Sequence, residues 1–349
     1  MRKLFKILLK IIIILIIIIT IITLYFTISD YNPDKKIIIS QGENVTPLEN
    51  KKITILSWNI GYAGLGNNMD FFYDGGKKVK DTKQQTLKNL NKIKTILDDY
   101  SYVDFILLQE VDVNSKRSYY INEKDTISKQ LDNFISFFAT NYKVQYIPFP
   151  ISSPLGKVES GLITYSKNIP VSSVRYKYPG NYNWPKKLFL LDRCFICNRY
   201  PVNNGKQLII INTHNSAYDK NGNLRQKQLN FLKKFITQEY NKGNYVIVAG
   251  DWNENPPDFN KIKHKKYKIL KLKSINKNFM PKDWKWIFDP KTPTNRSLSS
   301  RYNKNTTKKT IIDFFLISPN IKNTEIKTIN LDFENSDHQP ILGEFKLKN

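Results

Sequence analysis

Short apolar runs recur along the chain, and several of them stop at a polar residue. Residues 53–59, 105–108, 161–165, 188–196, 207–212, 245–249, 310–317 and 341–345 are β-branched or aromatic runs of strand length. Their ends carry Asn59, Gln109-Glu110, Thr213-His214 and Gly250-Asp251. Two stretches carry a helical period instead. In residues 84–99, Leu87, Leu90, Ile93 and Leu97 return every three or four positions. In residues 224–240, Leu229, Leu232, Phe235 and Ile236 share one side. Residues 131–140 read as a third helix and 143–149 as a further strand. Residues 161–165 and 188–196 read as neighbouring strands. Residues 61–80 form a polar, glycine-rich loop with Asp74-Gly75-Gly76 as a tight turn, and residues 255–300 have no clear period and read as loops with short elements. Strands alternating with a few outer helices, with no break between them, predict one α/β domain over residues 51–349: a sheet packed on a sheet with helices outside.

The N-terminus follows a different pattern. Residues 1–10 form a basic flank, and residues 11–29 are a nearly unbroken Ile/Leu/Thr run. Nineteen residues in a helix reach roughly 28 Å, close to the hydrocarbon thickness of a bilayer. The run exceeds a usual signal-peptide core, and no small-residue cleavage site follows, which predicts an uncleaved transmembrane signal anchor. A cleaved signal, and so a secreted protein, is the alternative. Arg2, Lys3, Lys6 and Lys10 predict a cytoplasmic N-terminus and an extracytoplasmic domain. Residues 30–50, with Pro33, Gly42 and Pro47, read as a polar tether without a fold of its own.

The net charge of +25 fits two origins. A positive field attracts polyanions such as nucleic acid, anionic lipid or sugar phosphates. A compositional bias toward Lys, Asn and Ile gives the same number, since the basic residues are scattered, clustering only in residues 261–273 and 304–309. The two cysteines, Cys194 and Cys197, lack the second pair a zinc site needs, and on a strand they face opposite sides, so they read as packing residues.

The candidate chemistry lies at the strand ends. Glu110, Asp251, Asp313 and Asp337 end or punctuate apolar runs, as Asn59 and Asn253 do. These are hard oxygen donors suited to Mg²⁺, Mn²⁺ or Ca²⁺. Each alone is equally a turn or cap residue. A set of six, joined by His214 and His338, is hard to explain as turns. His264, in a run of lysines, reads as solvated. Arg193 and, less strongly, Arg117 are candidate phosphate contacts. Tyr62, Trp184, Trp252, Trp284 and Trp286 are candidate stacking or membrane-surface groups, with packing the simpler role for most.

Taken in order, Trp58-Asn59-Ile60, Leu108-Gln109-Glu110, Asn212-Thr213-His214, Gly250-Asp251-Trp252-Asn253, Ile312-Asp313-Phe314-Phe315 and Ser336-Asp337-His338 resemble the motif set of the endonuclease/exonuclease/phosphatase superfamily. That group includes DNase I-like nucleases, abasic-site endonucleases, inositol polyphosphate 5-phosphatases and neutral sphingomyelinases. Phe71 to Gly76 and Glu159-Ser160-Gly161 look more like a membrane-anchored bacterial branch than like any named enzyme. The resemblance implies a four-layer α/β sandwich and a phosphoesterase using Mg²⁺ or Mn²⁺. It implies Glu110, Asn59 and Asp337 as metal ligands and Asp251 as the group acting on water. It implies Asn253 on the phosphate, an Asp313–His338 pair addressing the scissile phosphate, and His214 for phosphate binding or leaving-group protonation. Arg193 resembles a cation that reaches the phosphate in some relatives. A phosphodiesterase of nuclease or phospholipid head-group type comes first. A monoesterase on inositol or sugar phosphates, or a non-catalytic tethered module, is the alternative. The membrane is the one partner implied besides the substrate; no protein partner is inferable.

Overall fold

The computed structural model describes residues 2–49, 52–217, 219, 221–259 and 267–348. The apolar N-terminal run is helix α1 (Arg2–Ile28), with no buried residue along its 27. It begins earlier than the apolar run because the basic flank continues the helix. At 1.5 Å per residue it is about 40 Å long, enough to cross a bilayer.

The body consists of two sheets packed face to face. One has seven strands: β1 (Lys36–Gln41), β6 (Ser172–Lys177), β7 (Cys194–Pro201), β8 (Gln207–His214), β9 (Tyr245–Asp251), β13 (Asp313–Ile317) and β10 (Lys285–Ile287), in that order. The other has six: β14 (Ile321–Thr328), β15 (Ile341–Leu347), β2 (Lys52–Asn59), β3 (Phe105–Asp112), β5 (Gly156–Ser166) and β4 (Ile135–Ile147). Each sheet holds one parallel pair, β2 with β3 and β8 with β9; the other pairings are antiparallel. A parallel pair needs a crossover, and helices supply it. Helix α2 (Lys83–Asp99) joins β2 to β3, and α4 (Asn223–Asn241) joins β8 to β9. The short α3 (Glu123–Ser128) follows β3, and β11 (Asn295–Arg296) pairs with β12 (Lys309–Thr310) beside the sheets.

The side chains sort into layers as strand alternation requires. Ile53, Ile55, Phe105, Leu107, Leu208, Ile210, Ile247, Phe315 and Phe345 fill the space between the sheets. Leu56, Ile106 and Leu108 point the other way, onto Leu90, Ile93 and Leu97 of α2 and Ile127 of α3. Ile209, Ile211, Val246 and Val248 meet Leu229, Leu232 and Ile236 of α4. The result is the four-layer α/β sandwich expected. Cys194 and Cys197 are free and buried on opposite faces of β7, in separate apolar clusters.

Four expectations require correction. Residues 131–140 are not a helix. They enter β4, one 13-residue strand that continues through the stretch read as a separate strand. The tether is not structureless: Ile37 and Ile38 belong to β1, which pairs with β6, and Leu48 bridges to Val202. The folded body therefore begins near residue 36 rather than 51. Of residues 188–196, only the last three are strand, because Lys186–Phe189 is a short 3₁₀ turn. The strand they enter, β7, is not a neighbour of β5; the two lie in different sheets. His264 lies outside the described residues.

Candidate active site

The carboxyl ends of both parallel pairs open onto one cleft of about 1070 Å³, lined by Glu110, His214, Asp251, Asn253, Asp337 and His338 among others. β2 delivers Asn59, β3 Glu110, β8 His214 and β9 Asp251, while Asp313 starts the antiparallel β13 and His338 precedes β15. His214 and Asp313 both stand opposite Asp251 in register, so three chemical groups share one row of the seven-stranded sheet.

Local backbone features fix these ends. Gly250 has φ +144°, and a Cβ there would fall 1.9 Å from Thr213 O, so β9 can close on β8 only without a side chain. Glu110 sits at φ +54° where the pairing of β3 with β5 slips between Leu108 and Val111. That bulge turns its carboxylate toward the cleft. Gly61, φ +51°, leaves room for Asp337, whose Oδ1 a Cβ would approach to 2.9 Å. The Ser336-Asp337-His338 segment is tied to β2 by two bonds and braced by a third within itself. Trp58 Nε1 donates to His338 O (3.0 Å), Ser336 Oγ to Asn59 O (2.9 Å), and His338 N to Ser336 Oγ (3.1 Å). Below the site Gln109 Nε2 donates to Asn212 Oδ1 (2.8 Å), and Asn212 Nδ2 donates to Leu108 O and Ile163 O. This buried amide pair pins one sheet to the other at the floor.

Asn59 is the hub. Its Nδ2 lies 3.3 Å from Glu110 Oε1, 3.1 Å from Asp251 Oδ2 and 3.5 Å from His338 Nε2, and its Oδ1 accepts from Gly61 N. Asp313 accepts from His338 Nδ1 at 2.9 Å, with Nε2 3.8 Å from both Asp251 and Asp337. Burial would push the His338 imidazole down, but Asp313, Asp337 and Asp251 together raise it well above its ordinary value. His214 goes the other way. Burial, then the charges of Arg193 and His338, hold it well below its ordinary value, so it is neutral at neutral pH. Its Nε2 lies 3.3 Å from Asp251 Oδ2. Burial lifts Asp251 to about 7, opposed by His338 and helped by Asp313. Asp337 rises to about 6, again mainly through burial, opposed by His338 and helped by Glu110. Asn253 N donates to Asp251 Oδ1, and its Nδ2 donates to Asn215 O, both at 2.9 Å.

The donor set suits a hard divalent cation. Glu110 and Asp337 lie close enough for the charge of one to act on the other, and Asp337 Oδ1 is buried without a hydrogen-bond partner among the described residues. Such an oxygen is costly unless something positive meets it. The Asn59 amide turns its nitrogen to Glu110 and its oxygen to Gly61 N, so it offers an oxygen to a cation only after the amide rotates. Asp251, Asp313 and His338 also place ligand atoms within 4.8 Å of one another, but the hydrogen bond between His338 and Asp313 occupies that group.

Arg193 is buried and lines the cleft. Arg117 lines it too, with its guanidinium donating twice to Asp112 (3.0 and 2.9 Å) and lying 3.6 Å over the Tyr62 ring. Asp74-Gly75-Gly76 is the expected turn, and Asp74 lines the cleft. Tyr62, Trp252, Trp284 and Trp286 are packing groups: Tyr62 lies under Arg117, and Trp252 stacks on Phe314. Trp184 remains exposed. Sequence reading missed Thr294-Asn295-Arg296. Asn295 Nδ2 lies 3.0 Å from His338 Nε2, Arg296 N donates to Asp337 O, and Thr294 Oγ1 accepts from Asp313 N. No periodic signal marks a two-residue strand within residues 255–300.

Solved structures share this fold at low identity. An endonuclease/exonuclease/phosphatase protein from Beutenbergia cavernae DSM 12333 superposes with TM-score 0.57 at 14% identity, over 86% of this chain and 72% of its own. D. rerio TDP2, complexed with a single-strand DNA product, gives 0.53 at 15%, over 85% and 100%. The human Nocturnin catalytic domain with a bound sulfate anion gives 0.52 at 14%, over 87% and 97%. No curated protein matches the sequence. The profile of one family does match, from the middle of β2 to His338, and that span covers most of the chain. With residues 56–338 matched, the chain belongs to the Endonuclease/Exonuclease/phosphatase family.

Proposed function

We propose that the chain is a membrane-tethered phosphodiesterase that depends on a divalent cation, Mg²⁺ or Mn²⁺. The observation that carries this is the meeting of Asn59, Glu110, Asp251, Asp337 and the Asp313–His338 pair in one cleft. Glu110 and Asp337 would hold the cation, joined by Asn59 once its amide oxygen is turned toward them. A bound cation would supply positive charge against the charge that builds up on the phosphate. Asp251, lifted to about 7, accepts the proton of the attacking water, and the neutral His214 beside it keeps that carboxylate in place. His338, kept charged by three carboxylates, donates Nε2–H to a non-bridging oxygen; Asn253 and Arg193 add contacts to the same group. The water oxygen forms the new P–O bond, one ester P–O bond breaks, the leaving oxygen takes a proton from solvent where it needs one, and the proton on Asp251 returns to solvent.

A diester is favoured over a monoester because the cleft, at about 1070 Å³, is far larger than the cluster of site residues needs for a phosphate alone. Beyond the site the lining includes Lys271 and Lys273 as well as the apolar Ile147, Phe149, Leu155 and Phe189. Both ester arms therefore have room. Helix α1 spans the bilayer, and Arg2, Lys3, Lys6 and Lys10 keep its N-terminal end in the cytoplasm.

The test is hydrolysis of bis(p-nitrophenyl) phosphate by the full chain in detergent, with and without Mg²⁺ or Mn²⁺. Glu110→Gln should lower the metal-dependent rate by about 10³-fold with an unchanged circular dichroism spectrum. Undiminished turnover in that variant would overturn the assignment.

A further inference from the structure

We infer that the substrate is a phosphodiester lipid of the bilayer that α1 spans, taken from the membrane surface with its apolar arm against the cleft's apolar wall. This rests on the phosphodiesterase reading and adds the substrate class to it.

The last turn of α1 is bound to the rim of the cleft. Phe26 packs edge-on against Phe189, with ring centroids 5.6 Å apart, and Phe189 itself lines the cleft. Next to it, Trp184 Nε1 donates to Thr27 Oγ1 at 3.2 Å, and Lys187 pairs with Asp30 at 3.3 Å. Lys177 Nζ donates to Asn32 Oδ1 at 2.6 Å. These contacts hold the segment carrying Trp184 and Phe189 at the depth where a spanning helix leaves the hydrocarbon. Trp184 is 55% exposed there, as suits an indole at a bilayer interface.

A second segment brings apolar groups to the same cleft. The loop between β4 and β5 leaves Phe149 56% and Ile151 84% exposed. Phe149 lines the cleft and is held by Tyr73, whose hydroxyl donates to Phe149 O at 2.6 Å. The two segments are joined by Tyr142, whose hydroxyl donates to Phe189 O at 3.0 Å. Exposed Phe, Ile and Trp near a membrane-spanning helix gain by entering the lipid boundary. Lys186 on the same turn adds attraction to anionic head groups. A nucleic-acid strand would instead favour a channel lined by cations along its length, whereas next to the anchor Phe189, Leu190 and Leu191 line the cleft, with Lys186 as the cation that turn adds to the lining. Hydrolysis follows the balance given above: water supplies the oxygen of the new P–O bond, and a P–O ester bond of the lipid breaks.

The test uses the full chain reconstituted into vesicles of phosphatidylglycerol and phosphatidylcholine in equal parts, with Mg²⁺, followed by phosphorus NMR. Bis(p-nitrophenyl) phosphate and single-stranded DNA are assayed in parallel. The expected result is lipid turnover that Ile151→Ser and Trp184→Ser each lower at least tenfold, with the rate on the soluble diester unchanged. Three outcomes overturn the inference and leave the phosphodiesterase reading intact: the soluble diester is cleaved but the lipid is not; DNA is cleaved faster than the lipid; or lipid turnover ignores both substitutions. Failure on every substrate in the presence of either metal sinks both.

Discussion

The two halves of the sandwich use one device, a parallel strand pair joined by a helix, and finish it differently. In β2–α2–β3 the second strand is broken by a bulge, and Glu110 turns outward with a quarter of its side chain exposed. In β8–α4–β9 the strands end flush, and His214, Asp251 and Asp313 are each almost fully buried. An open carboxylate is free to meet a cation. A buried one facing another carboxylate is pushed toward neutrality, and Asp251 reaches about 7. Burial and a single slip of register therefore divide the labour between two acids of similar chemistry. His338 joins the halves, bonded to Asp313 of one sheet while its carbonyl accepts from Trp58 of the other.

The sharpest way to break the comparison is to flatten the first half. Glu110→Gly removes the carboxylate and relieves a left-handed residue. The metal-dependent rate should fall about 10³-fold while stability rises by about 1 kcal/mol, read from kinetics and denaturant midpoints. The reciprocal change spoils the flush ends of the second half. Gly250→Ala drives a Cβ into Thr213 O, so it should cost about 4 kcal/mol or more and lower Tm accordingly. A smaller effect separates the outer helices. Helix α4 is clamped to β7 by Glu239, whose carboxylate receives Arg199 at 2.7 Å and Lys242 at 2.9 Å. Burial alone would lift that carboxyl, but those partners hold it at about 2 against an ordinary 4.5. A depressed folded value means the stabilisation is fully present above pH 4.5 and fades as pH falls toward 2. About 2–3 kcal/mol should be lost across that window. Hydrogen exchange should show α4 loosening before α2, which is tethered by Asn89 donating to Ala63 O rather than by an ion pair.

Most strand ends were legible in the sequence because each couples an apolar run to a hard ligand, and α2 and α4 because their apolar positions repeat over several turns. β4 misled because Leu131, Phe134 and Phe137 mimic a helical spacing, although Leu131 and Phe134 belong to the turn before the strand. β1 was hidden because three isoleucines become a strand only when β6, far along the chain, offers an edge. Asn295 and Arg296 were invisible for a related reason: their importance lies in bonds to Asp337 and His338, and nothing in their neighbours announces it.

The bond from Trp58 to His338 spans 280 residues. The cleft is therefore completed late. A polypeptide growing from its N-terminus holds Asn59 and Glu110 long before Asp337 and His338 exist to meet them, and the ties that close one sheet on the other at the cleft form only when the last of these docks.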